Sequence, residues 1–207
     1  MAAMTAATRT DPTPSTEDLR RREILDAAVA VVVERGFAAA RVADVAARAG
    51  TSTGTVHYYF PTKADLLDAA LDHASDRAHD RHRAALDAVS DPHQQLLALV
   101  ELQSPEGPVA DEWAIWLEFW NEARRRPAWR ERNRAIYQRW VGWIAQIVRD
   151  GVARGQFRDD VDADEFARRF AGLLDGLAIQ CLLDPTPEHR WQLRSTMVDL
   201  VAGVLRP

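Results

Sequence analysis

Apolar residues recur at helical spacing along nearly the whole chain, from about residue 16 to residue 205, and no stretch shows the strict alternation of a half-buried strand or an internal repeat. A chain with that pattern can fold only as packed helices. Its breaks are sharp: Gly36, Gly50, Pro61, Ser90-Asp91-Pro92, Ser104-Pro105-Glu106-Gly107-Pro108, Pro127, Gly155 with Asp159-Asp160, and Asp184-Pro185-Thr186-Pro187. They divide the sequence into about nine helices, so the predicted fold class is all-α. The short connections between the long downstream helices favour antiparallel packing in a bundle. With 207 residues and 47% apolar content, the chain can bury one good core and a smaller second one.

Residues 41–60, RVADVAARAGTSTGTVHYYF, read as two short helices around a tight turn, the layout of a helix-turn-helix. Val42, Val45 and Ala46 give the first helix a buried face, and Gly50 ends it with the left-handed conformation such ends need. Thr51 or Ser52 can cap the next helix. A helix that enters the major groove needs short polar side chains near its N-terminus and flanking groups for phosphates. Thr51, Ser52 and Thr53 open it with free backbone N–H groups, and Gly54 removes a side chain where approach is closest. Thr55, His57 and Tyr58 offer a methyl, an imidazole and a phenol, while Val56, Tyr59 and Phe60 read as core. The stretch then runs through Pro61 and a Thr62 cap into a fresh amphipathic helix that starts at Lys63, the only lysine in the chain.

The run Glu34-Arg35-Gly36-Phe37, then Val45 to Gly50, then Gly54 to Phe60 and Pro61-Thr62-Lys63-Ala64-Asp65-Leu66-Leu67 resembles the TetR family of one-component transcription regulators. His57 departs from the family, which often has tyrosine there. The resemblance implies an N-terminal helix-turn-helix domain over residues 17–64, followed by a larger ligand-binding and dimerisation domain over 65–207. It places Thr55, His57, Tyr58 and Lys63 on DNA, with Arg41 holding a phosphate. It also implies a homodimer on a double-stranded, palindromic operator, whose seam is formed by the last two helices. The apolar rows there offer Phe170, Leu173, Leu177, Met197, Val201 and Val204 for the seam; an ordinary intrachain core face is the alternative.

A second constellation lies at residues 111–122, DEWAIWLEFWNE. Trp113, Trp116 and Trp120 fall at helical spacing, and Ile115, Leu117 and Phe119 make the helix apolar almost all round, so it must be deeply buried. Tyr137, Trp140 and Trp143 add aromatic surface from the next helix. Asp111, Glu118 and Glu122 share one stripe. Ring faces beside a fixed carboxylate favour an organic cation, so Glu118 joins these rings as a candidate for a small-molecule effector site, cationic or aromatic in type. The rings could equally be core, and the carboxylates could be spent on Arg124, Arg125 or Arg126. The tryptophans followed by Asn121-Glu122-Ala123 and Arg126-Pro127 resemble the C-terminal domain of the family's BetI-like branch.

The net charge of −5 is not that of a basic nucleic-acid binder, but Arg20, Arg21, Arg22, Arg41, Arg48 and Lys63 cluster in the first third. Cys181 has no partner for a disulfide or cysteine metal site, which fits a reducing compartment. Residues 1–16 read as a disordered tail without the features of a secretion signal, and no apolar run suits a membrane span. His73, His79, His82 and His93 sit among alternating charges, the look of a solvated helix, and no metal site is assigned to them. No nucleophile stands beside a base, and no glycine-rich phosphate loop follows a strand. The expectation is a cytoplasmic, non-enzymatic regulator without cofactor, a repressor released from its operator by ligand; the alternative is a DNA-binding dimer whose second domain senses nothing.

Overall fold

The computed structural model describes residues 15–204, which form nine α-helices and no strand among the described residues: α1 (Thr16–Ala39), α2 (Val42–Arg48), α3 (Thr53–Tyr59), α4 (Lys63–Asp87), α5 (Pro92–Leu102), α6 (Pro108–Ala123), α7 (Pro127–Ala153), α8 (Ala163–Leu183) and α9 (Pro187–Ala202). Of the expected tail, residues 1–14 lie outside the described ones. Ser15 and Thr16 instead begin α1: the Ser15 hydroxyl accepts from Asp18 N–H at 3.1 Å, and the Asp18 carboxylate accepts from Ser15 N–H at 3.1 Å. Thr62 and Asp65 start α4 with the same reciprocal pair.

Two cores organise the helices. The first joins Ile24, Leu25, Ala28, Val31 and Val32 of α1 to Val45 and Ala46 of α2, Val56 of α3, and Leu66 and Leu71 of α4. It is completed from far downstream by Ile115 and Phe119 of α6 and Trp129 of α7. The second holds Leu96 and Leu99 of α5, Ile144 and Val148 of α7, Phe166 and Leu174 of α8, and Leu193 of α9. No helix among the described residues is long and apolar enough to cross a membrane.

Four residues expected in a dimer seam sit in this second core. Phe170, Met197 and Val201 are 0% exposed and Val204 is 5% exposed within a single chain. The reason is that α8 packs on α7 and α9, and α9 on α5, so the strongest apolar row of each helix is consumed inside the protomer. Leu173 and Leu177 are only half-buried at its edge. The apolar groups left open at this end are Leu183, Trp191 and Val198.

Candidate functional site

The helix-turn-helix is held from behind. Gly50 adopts φ 60°, and Thr51 N–H donates to Ala46 O at 2.9 Å, closing α2 in the manner of a left-handed helix stop. Arg20 of α1 donates to both turn carbonyls, Ala49 O at 3.4 Å and Gly50 O at 3.3 Å, a clamp with no signature in the local sequence pattern. Of the two possible caps, Ser52 is the one used: its hydroxyl accepts from Thr55 N–H at 3.0 Å and pairs with the Thr55 hydroxyl at 3.0 Å. Val56 and Phe60 face the core, as their apolar character requires, and Tyr59 is half-buried.

On the open side lie Arg41, Ser52, Thr53, Gly54, His57 and Tyr58, all exposed, with Thr51 and Thr55 half-buried beside them. Tyr58 is 74% exposed and stacks edge-on against Tyr59 at 5.1 Å between ring centres. Nδ1 of His57 lies 3.2 Å from Pro61 O. A carbonyl can only accept, so Nδ1 carries a proton, and Nε2 of this exposed ring is left for other partners. Lys63 is half-buried, and its ammonium donates to Ala38 O at 3.0 Å, stitching the start of α4 to the end of α1. Arg48 pairs with Glu34 and Arg35 with Asp44 at 2.9 Å, so these two guanidiniums hold the fold from the flanks.

The aromatic residues of α6 and α7 converge on a cavity of about 100 Å³ between α4, α6, α7 and α8. One buried water needs about 10–15 Å³ of such space, so the cavity suits a small organic molecule. Trp113, Trp116 and Trp120 contribute from α6 and Tyr137, Trp140 and Trp143 from α7. Trp140 and Trp143 stand 6.5 Å apart at a steep angle, and His82 and His79 of α4 lie against them at 5.2 Å and 4.3 Å. Two indoles are fixed by hydrogen bonds: Trp113 Nε1–H to Gln103 O at 2.9 Å and Trp120 Nε1–H to Asn133 Oδ1 at 3.0 Å.

The carboxylate in this cavity is not the expected one. Glu118 points the opposite way from α6, toward α1, where it accepts from Phe37 N–H at 3.3 Å. Because α6 is buried on nearly every side, its periodicity could not tell a cavity face from a face packed on α1. Glu122 is likewise outside the cavity, paired with Arg126 at 3.1 Å and Arg125 at 3.6 Å. The acid that lines the cavity is Asp175 of α8, whose carboxyl burial pushes up to about 6 and which makes no ion pair among the described residues. Glu112 also lines it but is engaged by the Arg81 fork.

His82, read from sequence as one of a solvated series, is buried at the cavity wall. Burial first and the neighbouring Arg81 charge second push its imidazole down to about 4, and its Nε2 has no hydrogen-bond partner among the described residues. It is therefore neutral at pH 7, with a ring nitrogen available to a bound hydroxyl or carbonyl. Asp175 had one sequence signal, an acid inside the apolar run Leu173-Leu174-Asp175-Gly176-Leu177. His82 had none.

Comparison with known proteins agrees with both halves. Residues 24–70 match the family described as bacterial regulatory proteins, tetR family, and residues 92–206 match BetI-type transcriptional repressor, C-terminal. The HTH-type transcriptional regulator BetI of Rhizobium meliloti (strain 1021) is 31% identical over 183 residues, which covers 85% of this chain and 84% of that protein. The HTH-type transcriptional regulator CymR of Pseudomonas putida is 30% identical over 86% of this chain and 87% of its own length. Among solved structures, a putative transcriptional regulator from Saccharomonospora viridis in complex with choline superposes with a TM-score of 0.82 at 38% identity, covering 90% of this chain and 98% of that one. With the helix-turn-helix built as described and both halves matched, the chain belongs to the TetR family of transcriptional regulators and is not an enzyme.

Proposed function

We propose that this protein is a cytoplasmic repressor, released from its operator when a small organic cation occupies the α4–α8 cavity. The observation that carries the ligand class is Asp175, a carboxylate with no ion-pair partner among the described residues, facing a cavity walled by indole rings. Ring faces attract a cation by about 0.5–2 kcal/mol each, and a desolvated carboxylate adds a directional charge. Quaternary ammonium compounds of choline size suit this arrangement, because they need ring faces and a counter-charge and no hydrogen-bond acceptors around nitrogen. The relative from Saccharomonospora viridis is described with choline bound, which supports the same class here.

On the DNA side, Arg41, Thr51, Ser52, Thr53, Gly54, Thr55, His57 and Tyr58 form the reading surface, and with Nδ1 held by Pro61 O the Nε2 of His57 is the ring nitrogen left to meet a base edge. Lys63 acts first as a structural tie through Ala38 O, and its ammonium keeps two further donors for a phosphate. Two copies present two such helices about 34–36 Å apart, one turn of the duplex, which requires a homodimer on a palindromic site. The open groups Leu183, Trp191 and Val198, with the half-buried Leu173 and Leu177, are the proposed seam in place of the four buried residues.

Choline titration of the purified protein, followed by tryptophan fluorescence and by release of DNA selected from a random pool, tests the whole reading. Saturable quenching together with loss of the DNA complex is expected. Quenching without release would leave a binder that is not a switch. DNA binding without any thermal shift across a panel of organic cations would favour a regulator whose second domain only dimerises.

A further inference from the structure

Helix α6 has two working faces. One carries Trp113, Trp116 and Trp120 into the cavity, and the other packs Ile115 and Phe119 into the core of the DNA-reading half. Glu118 lies on that second face, opposite the corner where α1 breaks. There Gly36 holds φ 74° and ψ 162°, and a Cβ built on it would stand 2.9 Å from Glu118 Oε2. The same oxygen accepts from Phe37 N–H at 3.3 Å. Phe37 is also the last ring of an unbroken series that starts at the cavity wall: Trp116 to Phe119 at 5.7 Å, Phe119 to Trp129 at 5.4 Å, and Trp129 to Phe37 at 5.1 Å. One residue further on, Ala38 O receives the ammonium of Lys63, where α4 begins, and three residues beyond that Arg41 leads into α2.

We propose that Glu118 is the coupling residue of this regulator: it carries the state of the cavity from α6 to the α1–α2 corner, with the rings of Trp116, Phe119, Trp129 and Phe37 as the rigid linkage beside it. The reasoning is geometric. A ligand that reseats Trp116 or Trp120 must rotate or slide α6, because both are anchored on that helix and Trp120 is further tied to Asn133. A close-packed core transmits such a shift rather than absorbing it. Glu118 has no slack against Gly36, where the carboxylate already occupies the space of a side chain. The α1–α2 corner must therefore follow, and with it the start of both α2 and α4. The long helix α4 remains a second connection, joined to α6 by the Arg81–Glu112 fork. Contiguity alone does not establish coupling, so the test must measure transmission itself.

This inference rests on the cavity being the regulatory site but not on the identity of its ligand. The experiment is amide hydrogen exchange on the full chain, read in peptides covering residues 37–60. Cavity occupation is imposed in two ways: by saturating choline chloride, and by Ala78→Phe, which places a ring in the cavity without any ligand. Each is applied to the native chain, to Glu118→Met, which keeps the length and removes the acceptor, and to Glu118→Gln, which keeps an acceptor oxygen. Occupation should change exchange at 37–60 by about five-fold or more in the native chain and in Glu118→Gln, and by less than about two-fold in Glu118→Met. Should Glu118→Met not fold, Glu118→Ala serves in its place. Equal responses in all three chains would overturn the proposal. So would a native chain whose 37–60 amides ignore both choline and Ala78→Phe. Silence with choline beside a response to Ala78→Phe, lost in Glu118→Met, would remove the quaternary ammonium reading and support the coupling residue.

Discussion

At the scale of single residues, burial sets the charge of the side chain on which ligand recognition turns. Asp175 must be ionised to attract a cation, and in the empty cavity burial holds its carboxyl at about 6. Binding of a permanent cation therefore expels a proton, and choline affinity measured calorimetrically should be flat above pH 7 and fall about tenfold per unit once the pH drops below about 6. Asp175→Asn should weaken binding at pH 7.5 and flatten this dependence. For stability the sign is opposite: a raised carboxyl means that the empty protein loses stability as pH rises from the unfolded value to about 6, so Asp175→Asn should melt higher at pH 7.5. On the DNA side, His57→Ala should lower affinity for the selected sequence by about 1–3 kcal/mol while leaving nonspecific binding little changed, as read by competition against random DNA. The exposure of His57 was legible in the sequence, because the residue lies close to a glycine on a short polar helix. Asp175 stood out only as an acid inside an apolar run, because which side of α8 meets the cavity is decided by how α8 lies on α7, and no local pattern encodes that.

Helices were the most legible scale. Every one expected from periodicity and punctuation is present, and the prolines read as breaks at Pro92, Pro108, Pro127 and Pro187 sit in the first turn of the helix that follows. What periodicity could not resolve was the role of a helix that is apolar all round, and α6 is the case: the stripe Asp111, Glu118, Glu122 was visible, but its direction depends on α1, about eighty residues away in sequence. Two glycines show how differently one residue type serves its element. A Cβ on Gly54 would meet nothing closer than Ser52 Oγ at 3.6 Å, so the fold itself has room for one. Gly54→Ala should leave the melting temperature unchanged, or raise stability by up to about 1 kcal/mol, while weakening DNA binding. Gly151 is the reverse: a Cβ there would lie 2.2 Å from the ring of Phe157, which is fully buried. Gly151→Ala should destabilise by about 1–3 kcal/mol or more in chemical denaturation, without a specific effect on DNA.

Across the whole molecule, the boundary expected at residue 64 does not separate two cores. Leu66, Leu71, Ile115, Phe119 and Trp129, all beyond it, finish the core that supports the reading helix. That sharing gives ligand and DNA a physical reason to influence one another. The dimer seam was the least legible feature, since an apolar row announces a buried face but not whether the chain itself or a second copy covers it. The two kinds of position should now separate by experiment. Trp191→Glu or Val198→Glu should give folded monomers by light scattering, whereas a charge at Met197 or Val201 should unfold the chain, because several kcal/mol are lost when a charge is buried unpaired. The most direct test of the account as a whole is the affinity of choline for the protein free and on its selected operator. Linkage predicts that operator weakens choline by the factor with which choline weakens operator, about 5- to 150-fold. Equal choline affinity in the two states would contradict a ligand-released repressor.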